Sequence, residues 1–265
     1  MKESAIQVAR MLHQARVKAA PVDQISQSSD LFSAPDKRKL AYEIQDAQLK
    51  LREDSGENLV GWKMGLTSEA KRKQMNLDSP LYGHLTDQMR VGDRQLYELA
   101  GKIHPKVEPE IAFVMKEKLS GTVTRDQAYR AIGGVCVALE ILDSRYKQFK
   151  YFSMEDVIAD NSSSSHFVLG PTLEDFHHLD LADLKMEMLV NGEIAQTGTS
   201  KDISGDPVIS LVQLSELLAV QGRSVLPGQI VLAGAATQAV ELKPRMNVHL
   251  NVQGLQSVML KVGGE

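Results

Sequence analysis

The spacing of apolar positions changes twice along the chain. At the N-terminal end Val8, Leu12, Ala15 and Ala19 recur at helical intervals. Leu40, Ile44, Ala47 and Leu51 then mark one face of a second helix that opens near Pro35, with Ser33 as its cap. The polar stretch "DQISQSSD" between them reads as a connection. From residue 58 the pattern turns to short apolar runs of strand character: "NLVGWKMGL", "VEPEIAFVM" and "VCVALEIL". "TSEAKRKQM" predicts a short helix capped by Thr67 or Ser68, and "TRDQAYRAIGG" one with Thr124 and Gln127 in capping-box spacing. "SMEDVIAD" predicts a turn or short helix that leads into a serine-rich loop. The last third alternates with period two on both sides of Asn191-Gly192 and of Gln253-Gly254, the mark of hairpins. Between the hairpins, "DPVISLVQLSELLAVQG" predicts a helix capped by Asp206, with Pro207 in its first turn and Gly222 at its end. The expected fold class is α+β: a helical N-terminal lobe over residues 1–57 and a mixed, largely antiparallel β core over residues 58–265.

Composition narrows the function. The chain has 265 residues, enough for a substantial core, and a net charge of −4, which argues against non-specific binding to nucleic acid or an anionic membrane. No apolar run approaches the roughly 18 residues that span a bilayer, and the N-terminal segment is interrupted by charges and lacks a signal-peptide core. The expectation is a cytoplasmic protein with neither nucleic acid nor membrane as partner. Cys136 is the single cysteine, which excludes an intrachain disulfide and a cysteine-rich zinc site.

Chemistry enters at "HPKVEPEIAFVM". Residues two apart on a strand share a face, so Glu108 and Glu110 point the same way, with Cα atoms about 6.6–6.8 Å apart. Taken alone, the pair reads as the solvent face of an edge strand. Glutamate is rarely buried, and Pro109 between them cannot donate to a ladder, which suggests an edge or bulged position. Glu140 shifts that balance, because it closes the apolar run "VCVALEIL", where a carboxylate needs a counter-charge. Three carboxylates from two strands suit Mg2+ or Mn2+, which take oxygen ligands and leave positions for substrate. Asp143 is expected to pair with Arg145 or cap a turn. Lys63, in "GWKMG", either snorkels to solvent or sits in a pocket where it meets an anion or moves a proton. "ADNSSSSHF" reads as a capped turn rich in hydroxyls. "LAGAATQAV" reads as an ordinary turn or as a loop that aims N–H groups at a carboxylate. His104, His166, His177 and His178 show no metal spacing and read as surface or structural.

The motifs "VGWKMGLTS", "SPLYGHLTD", "HPKVEPEIAF", "ALEILDSRY" and "VIADNSSSSHFVLG", in this order and spacing, resemble the hydratase/decarboxylase family of catechol meta-cleavage pathways. That family lies within the fumarylacetoacetate-hydrolase superfamily, and the resemblance covers nearly the whole chain. It implies a β-roll of mixed sheets with an N-terminal helical lobe. Glu108, Glu110 and Glu140 match the family's divalent-metal ligands, usually for Mg2+, with Mn2+ as the alternative. Lys63 matches its active-site lysine and Ser163 a substrate-contacting position. Gly234 matches part of a substrate-side glycine loop, although the family commonly has two adjacent glycines there and this chain has Ala233 and Ala235 beside one. Leu81 in "SPLYGHL" bears on the reaction. Hydratases of the family resemble "PDYG" or "PDFG" at that point and decarboxylases "PIYG". An acid there can move protons for hydration, whereas an aliphatic residue keeps water off and disfavours charge. The resemblance thus implies a metal-dependent lyase that decarboxylates 2-oxo-3-hexenedioate to 2-hydroxypenta-2,4-dienoate through a dienolate stabilised by the metal. The alternative is a hydratase that converts the dienoate to 4-hydroxy-2-oxopentanoate. A non-catalytic metal or metabolite binder and a C–C hydrolase are further readings; the motif order disfavours the first, and no His–Glu water-activating pair supports the second. The expected partners are a small 2-oxo acid substrate, further copies of the chain in a homo-oligomer, and the partner enzyme of the pathway.

Overall fold

The computed structural model describes residues 3–33, 35–68, 72, 79–149 and 153–264. The expected helix over "TSEAKRKQM" lies almost wholly outside the described residues.

Helical periodicity at the N-terminus produces α1 (Glu3–Lys18), a single turn α2 (Ile25–Ser28) and α3 (Lys37–Glu53). α1 buries Ala5, Ala9, Leu12 and Ala15 on one stripe, and α3 buries Leu40, Ala41, Ile44 and Leu49. Ala19, expected to continue α1, lies past its end in the left-handed region at φ 50°. The start of α3 falls later than expected, after Asp36 rather than Ser33, and no side chain caps it.

The strands form two sheets. The larger has the order β2 (Leu81–Thr86), β1 (Leu59–Gly65), β10 (Ile230–Ala235), β5 (Lys106–Met115), β6 (Ile132–Leu142), β7 (Ser164–Leu169), β3 (Arg90–Val91), with β11 (Val240–Glu241) also on β5. The smaller has the order β4 (Leu96–Tyr97), β13 (Val258–Val262), β12 (Asn247–Val252), β8 (Lys185–Val190), β9 (Glu193–Thr199). Most pairings are antiparallel, but β1–β10, β3–β7 and β4–β13 are parallel. Asn191-Gly192 makes the two-residue hairpin between β8 and β9, both residues at positive φ as such a turn demands. The Gln253-Gly254 connection is longer than expected, since β13 begins only at Val258.

Pro109 is not on an edge. β5 pairs with β6 on one side along its whole length and with β10 and β11 on the other. The proline is tolerated because the β5–β10 register shifts there, between Leu232 and Ala235, so a bulge and not an edge absorbs the missing N–H.

Three further helices, α4 (Arg125–Arg130), α5 (Met154–Ala159) and α6 (Pro207–Val220), complete the described elements of regular helix. The Thr124–Gln127 capping box and the Asp206 cap form as their spacing predicts. The stretch Ser200–Val220 is long and apolar enough to cross a membrane by length and composition, which corrects the expectation that no run approached that length. Its placement is that of a core helix. α6 proper has 14 residues, short of the roughly 20 a span needs, and buries Val208, Leu211, Leu214 and Leu218.

The two faces of the large sheet differ. One carries Trp62, Tyr82, Ile111, Phe113, Val137 and Leu139 into the main core. The other carries a small cluster that includes Leu85, Ala112, Cys136, Ala138, Phe167 and Leu232. Alternation along β1, β5 and β6 puts Lys63, Glu110 and Glu140 on this second face.

Candidate metal centre

The cross-strand register builds the centre. Glu108 of β5 stands directly opposite Glu140 of β6, and Glu110 follows on the same face opposite Ala138. Carboxylate oxygens of the three lie within 4.8 Å of one another. Glu110 and Glu140 are fully buried and Glu108 is partly so. Like charges placed opposite each other destabilise a sheet, and buried ones more so, unless a cation sits among them. Lys63 of β1 is one such cation: its Nζ is 2.8 Å from Glu140 Oε2. Glu140 Oε1 accepts from Ser164 Oγ at 2.7 Å, and Glu110 Oε2 accepts from the Gly234 N–H at 2.8 Å. Glu110 Oε1 finds no hydrogen-bond partner among the described residues. These three carboxylates and the Lys63 ammonium sum to −2 among the described groups, the charge a divalent cation neutralises, and the three acids offer carboxylate oxygens, which hard cations prefer.

Protonation follows the same geometry. Burial, with the Glu140 charge beside it, holds the Glu110 carboxyl well above the usual carboxylate range. Burial draws the Lys63 ammonium down, but the charges of Glu140, Glu110 and Glu108 together outweigh it and leave the pKa above its ordinary value.

The serine-rich loop forms a backbone turn of unusual conformation. Asn161, Ser162 and Ser163 lie consecutively in the left-handed region, at φ 51°, 52° and 58°. Such a conformation costs a non-glycine residue about 1–2 kcal/mol, so three in a row mark a place where position matters more than comfort. The turn delivers three hydroxyls in different directions. Ser162 Oγ lies 3.4 Å from Lys63 Nζ, which donates to it, and Ser164 Oγ holds Glu140. Ser163 Oγ is fully buried and has no hydrogen-bond partner among the described residues.

Leu81 is fully buried on β2 opposite Gly65. A Cβ on Gly65 would stand 2.7 Å from Leu81 Cδ1 and 2.6 Å from Ser162 Oγ, so this glycine is what lets Leu81 and Ser162 approach the same point. Gly234 has φ 114°, and a Cβ there would meet Thr67 Oγ1 at 2.4 Å. One glycine therefore meets the steric need, and the alanines on either side do not interfere. The structure brings Lys63, the three glutamates, Ser162, Ser164 and Leu81 together, and it places Gly234 behind Glu110. Asp143 takes the second of its two expected roles: it caps the bend at Ile103 and His104 by accepting from both N–H groups, while Arg145 turns to Asp160.

A family model for the fumarylacetoacetate (FAA) hydrolase C-terminal domain matches residues 66–262. The chain belongs to the fumarylacetoacetate hydrolase family. Within that family it is 43% identical over 225 residues to a 4-oxalocrotonate decarboxylase of Pseudomonas sp., covering 85% of this chain and 87% of the relative. It is 36% identical over 224 residues to a 2-keto-4-pentenoate hydratase of Paraburkholderia phymatum, covering 83% and 84%. The solved structure of 4-oxalocrotonate decarboxylase from Pseudomonas putida G7, complexed with magnesium and adipate, superposes with a TM-score of 0.93. That match has 32% identity and covers 99% of this chain and 98% of the other. The α+β architecture, with its mixed sheets and N-terminal helices, is thus the family fold.

Sequence reasoning did not single out Ser162, Ser164 or Asn161. "DNSSSS" announced hydroxyls and a residue that tolerates the left-handed region, but four successive serines carry no mark of which one faces which group.

Proposed function

We propose that this chain is a Mg2+-dependent decarboxylase that converts 2-oxo-3-hexenedioate, also called 4-oxalocrotonate, to 2-hydroxypenta-2,4-dienoate. The observation that carries it is a cluster of three carboxylates around a buried lysine, with the apolar Leu81 approaching the Ser162 hydroxyl that touches that lysine. The decarboxylase relatives and the magnesium in one of their structures support it. Glu108, Glu110 and Glu140 would hold the metal, with Mn2+ as a substitute. The bound ion supplies a Lewis acid for the C1 carboxylate and C2 carbonyl oxygens of the 2-oxo acid.

The chain's own residues do the rest. As the C5–C6 bond breaks, its electron pair moves through the C3–C4 double bond to the C2 oxygen, and C6 leaves as neutral CO2. The Lys63 ammonium stays charged at neutral pH, stabilises that developing negative charge and holds a proton for the C2 oxygen. Ser162 keeps Lys63 in place, Ser164 keeps Glu140 in place, and Ser163 Oγ is free to donate to the substrate carboxylate. The Gly234 N–H holds one carboxylate oxygen of Glu110 in place. Leu81 keeps water and charge away from the reacting carbons, which favours loss of CO2 over hydration. The same reading carries a homo-oligomer, a complex with the enzyme that consumes the dienoate, and a cytoplasmic location.

The test is an assay of purified protein with Mg2+ and each substrate, following CO2 release and water addition separately. CO2 release from 2-oxo-3-hexenedioate is expected. Efficient hydration of 2-hydroxypenta-2,4-dienoate without CO2 release would replace the decarboxylase with the hydratase.

A further inference from the structure

We propose that Asn161 is a positioning residue: its side chain bridges the main chain of His84 and so fixes the left-handed turn that aims Ser162 at Lys63 and Ser164 at Glu140. The inference rests on the reading of Glu140 as a metal ligand.

Among the described residues β2 is the outer strand of the large sheet and pairs only with β1. The main-chain groups of His84 meet the Asn161 amide where a further strand would otherwise run. Asn161 Oδ1 accepts from the His84 N–H at 2.7 Å, and Asn161 Nδ2 donates to the His84 carbonyl at 3.0 Å. The side-chain amide thus reproduces the donor–acceptor pair of a strand neighbour, and two parallel bonds fix orientation as well as distance. The anchor is itself held. The His84 ring nitrogen Nε2 is 3.2 Å from Asp46 Oδ1 and 3.1 Å from Arg223 Nη1. The approach is close enough to demand glycine beside it: a Cβ on Gly83 would stand 2.9 Å from the Asn161 carbonyl oxygen and 3.3 Å from Lys63 Cδ.

The rest of the turn is pinned elsewhere. The Ser163 N–H donates to the Asp160 carbonyl at 2.9 Å, and the Ser163 carbonyl accepts from the Asp143 N–H at 2.8 Å. Those bonds hold the two ends, while Asn161 holds the flank against β2, next to Ser162. Asparagine also enters the left-handed region more readily than serine does, so one residue supplies both the conformation and the clamp. Without the clamp Ser162 and Ser163 can return to ordinary backbone conformations, and Ser164, carried along by the turn, then leaves Glu140 without its donor.

The measurement is Mn2+ affinity, by titration calorimetry or electron paramagnetic resonance, on the full-length protein well below its melting temperature, with melting recorded alongside. Asn161→Ala should weaken Mn2+ binding about tenfold, the size of effect seen when a group behind a metal ligand is lost. Asn161→Asp keeps the acceptor for the His84 N–H and should lose less. Ser164→Ala should weaken binding by a similar factor, and adding Asn161→Ala to it should change little further, because the clamp acts through that serine. Should Asn161→Ala fail to fold, Asn161→Asp in the wild-type and Ser164→Ala backgrounds gives the same comparison. Unchanged Mn2+ affinity with a lowered melting temperature, or losses that simply add, would overturn the proposal and leave Asn161 a structural residue. A wild-type protein that binds no Mn2+ would instead overturn the metal reading, and the clamp's purpose with it.

Discussion

Two clusters of buried charge flank the 160–164 turn, and they are built on opposite terms. In one, Asp160 Oδ1 meets Arg145 Nε at 2.5 Å, Asp160 Oδ2 accepts from Ser144 Oγ at 2.9 Å, and Arg145 also donates to the carbonyls of Asp143, Asp160 and Ser164. One acid meets one base, and burial lifts Asp160 only to about 6, so the pair stays ionised at neutral pH. In the other, three acids gather around Lys63, Glu110 Oε1 has no partner among the described residues, and the Glu110 carboxyl is held well above its ordinary range. The balanced cluster holds the turn in place. The unbalanced one gathers more acid than base and is where a ligand is needed. Burial alone therefore does not separate structural from functional charge here, but the state of pairing does.

That contrast can be broken by substitution. Lys63→Met should leave the fold intact, since methionine replaces the apolar stem, and should lower kcat by about 10²–10⁴-fold. Steady-state kinetics with a melting curve checks it, and full activity would place Lys63 outside the reaction. Asp160→Asn should do the opposite. It strands Arg145 in a buried site and should cost about 3–5 kcal/mol of stability in denaturant unfolding, whatever metal is present. Metal removal should act only on the unbalanced cluster. Chelation should abolish turnover, and Mg2+ at 100 times its Kd should return about 2.7 kcal/mol of stability, read as a rise in melting temperature. A melting temperature indifferent to Mg2+ would count against the metal centre.

A smaller effect comes from His166, next to the same turn. Burial lowers its pKa to about 3, so it stays neutral in the fold while the unfolded chain titrates near the ordinary histidine value. The unfolded state then binds more protons below pH ~6.5, and stability falls as pH drops through that window. At pH 5 the loss relative to pH 7 should be about 2 kcal/mol, and His166→Gln should remove that part of the slope in denaturant unfolding at the two pH values.

Much of this molecule is legible in one dimension. Period-two alternation put Glu108 and Glu110 on one face, and an apolar run ending in Glu140 announced a carboxylate that needed a cation. The Thr124, Asp206 and Asn191-Gly192 signals placed two helix starts and a hairpin, because caps and turns depend on residues three or four apart. Pro109 left two readings open for the same reason: its missing N–H is a local fact, but an edge and a bulge are told apart only by what pairs on the far side, and here it is the bulge.

What only the tertiary structure decided is register and reach. No local pattern states that Glu108 faces Glu140, that Lys63 arrives from a strand three places away in the sheet to meet Glu140, or that Asn161 finds a backbone partner 77 positions earlier in the chain. Nor does one state which of four serines turns toward the lysine and which toward the glutamate. Side-chain periodicity is a property of neighbouring residues, and so it can be read along the chain. The alignment of distant strands is set by how whole faces pack, and so it exists only once the chain has folded.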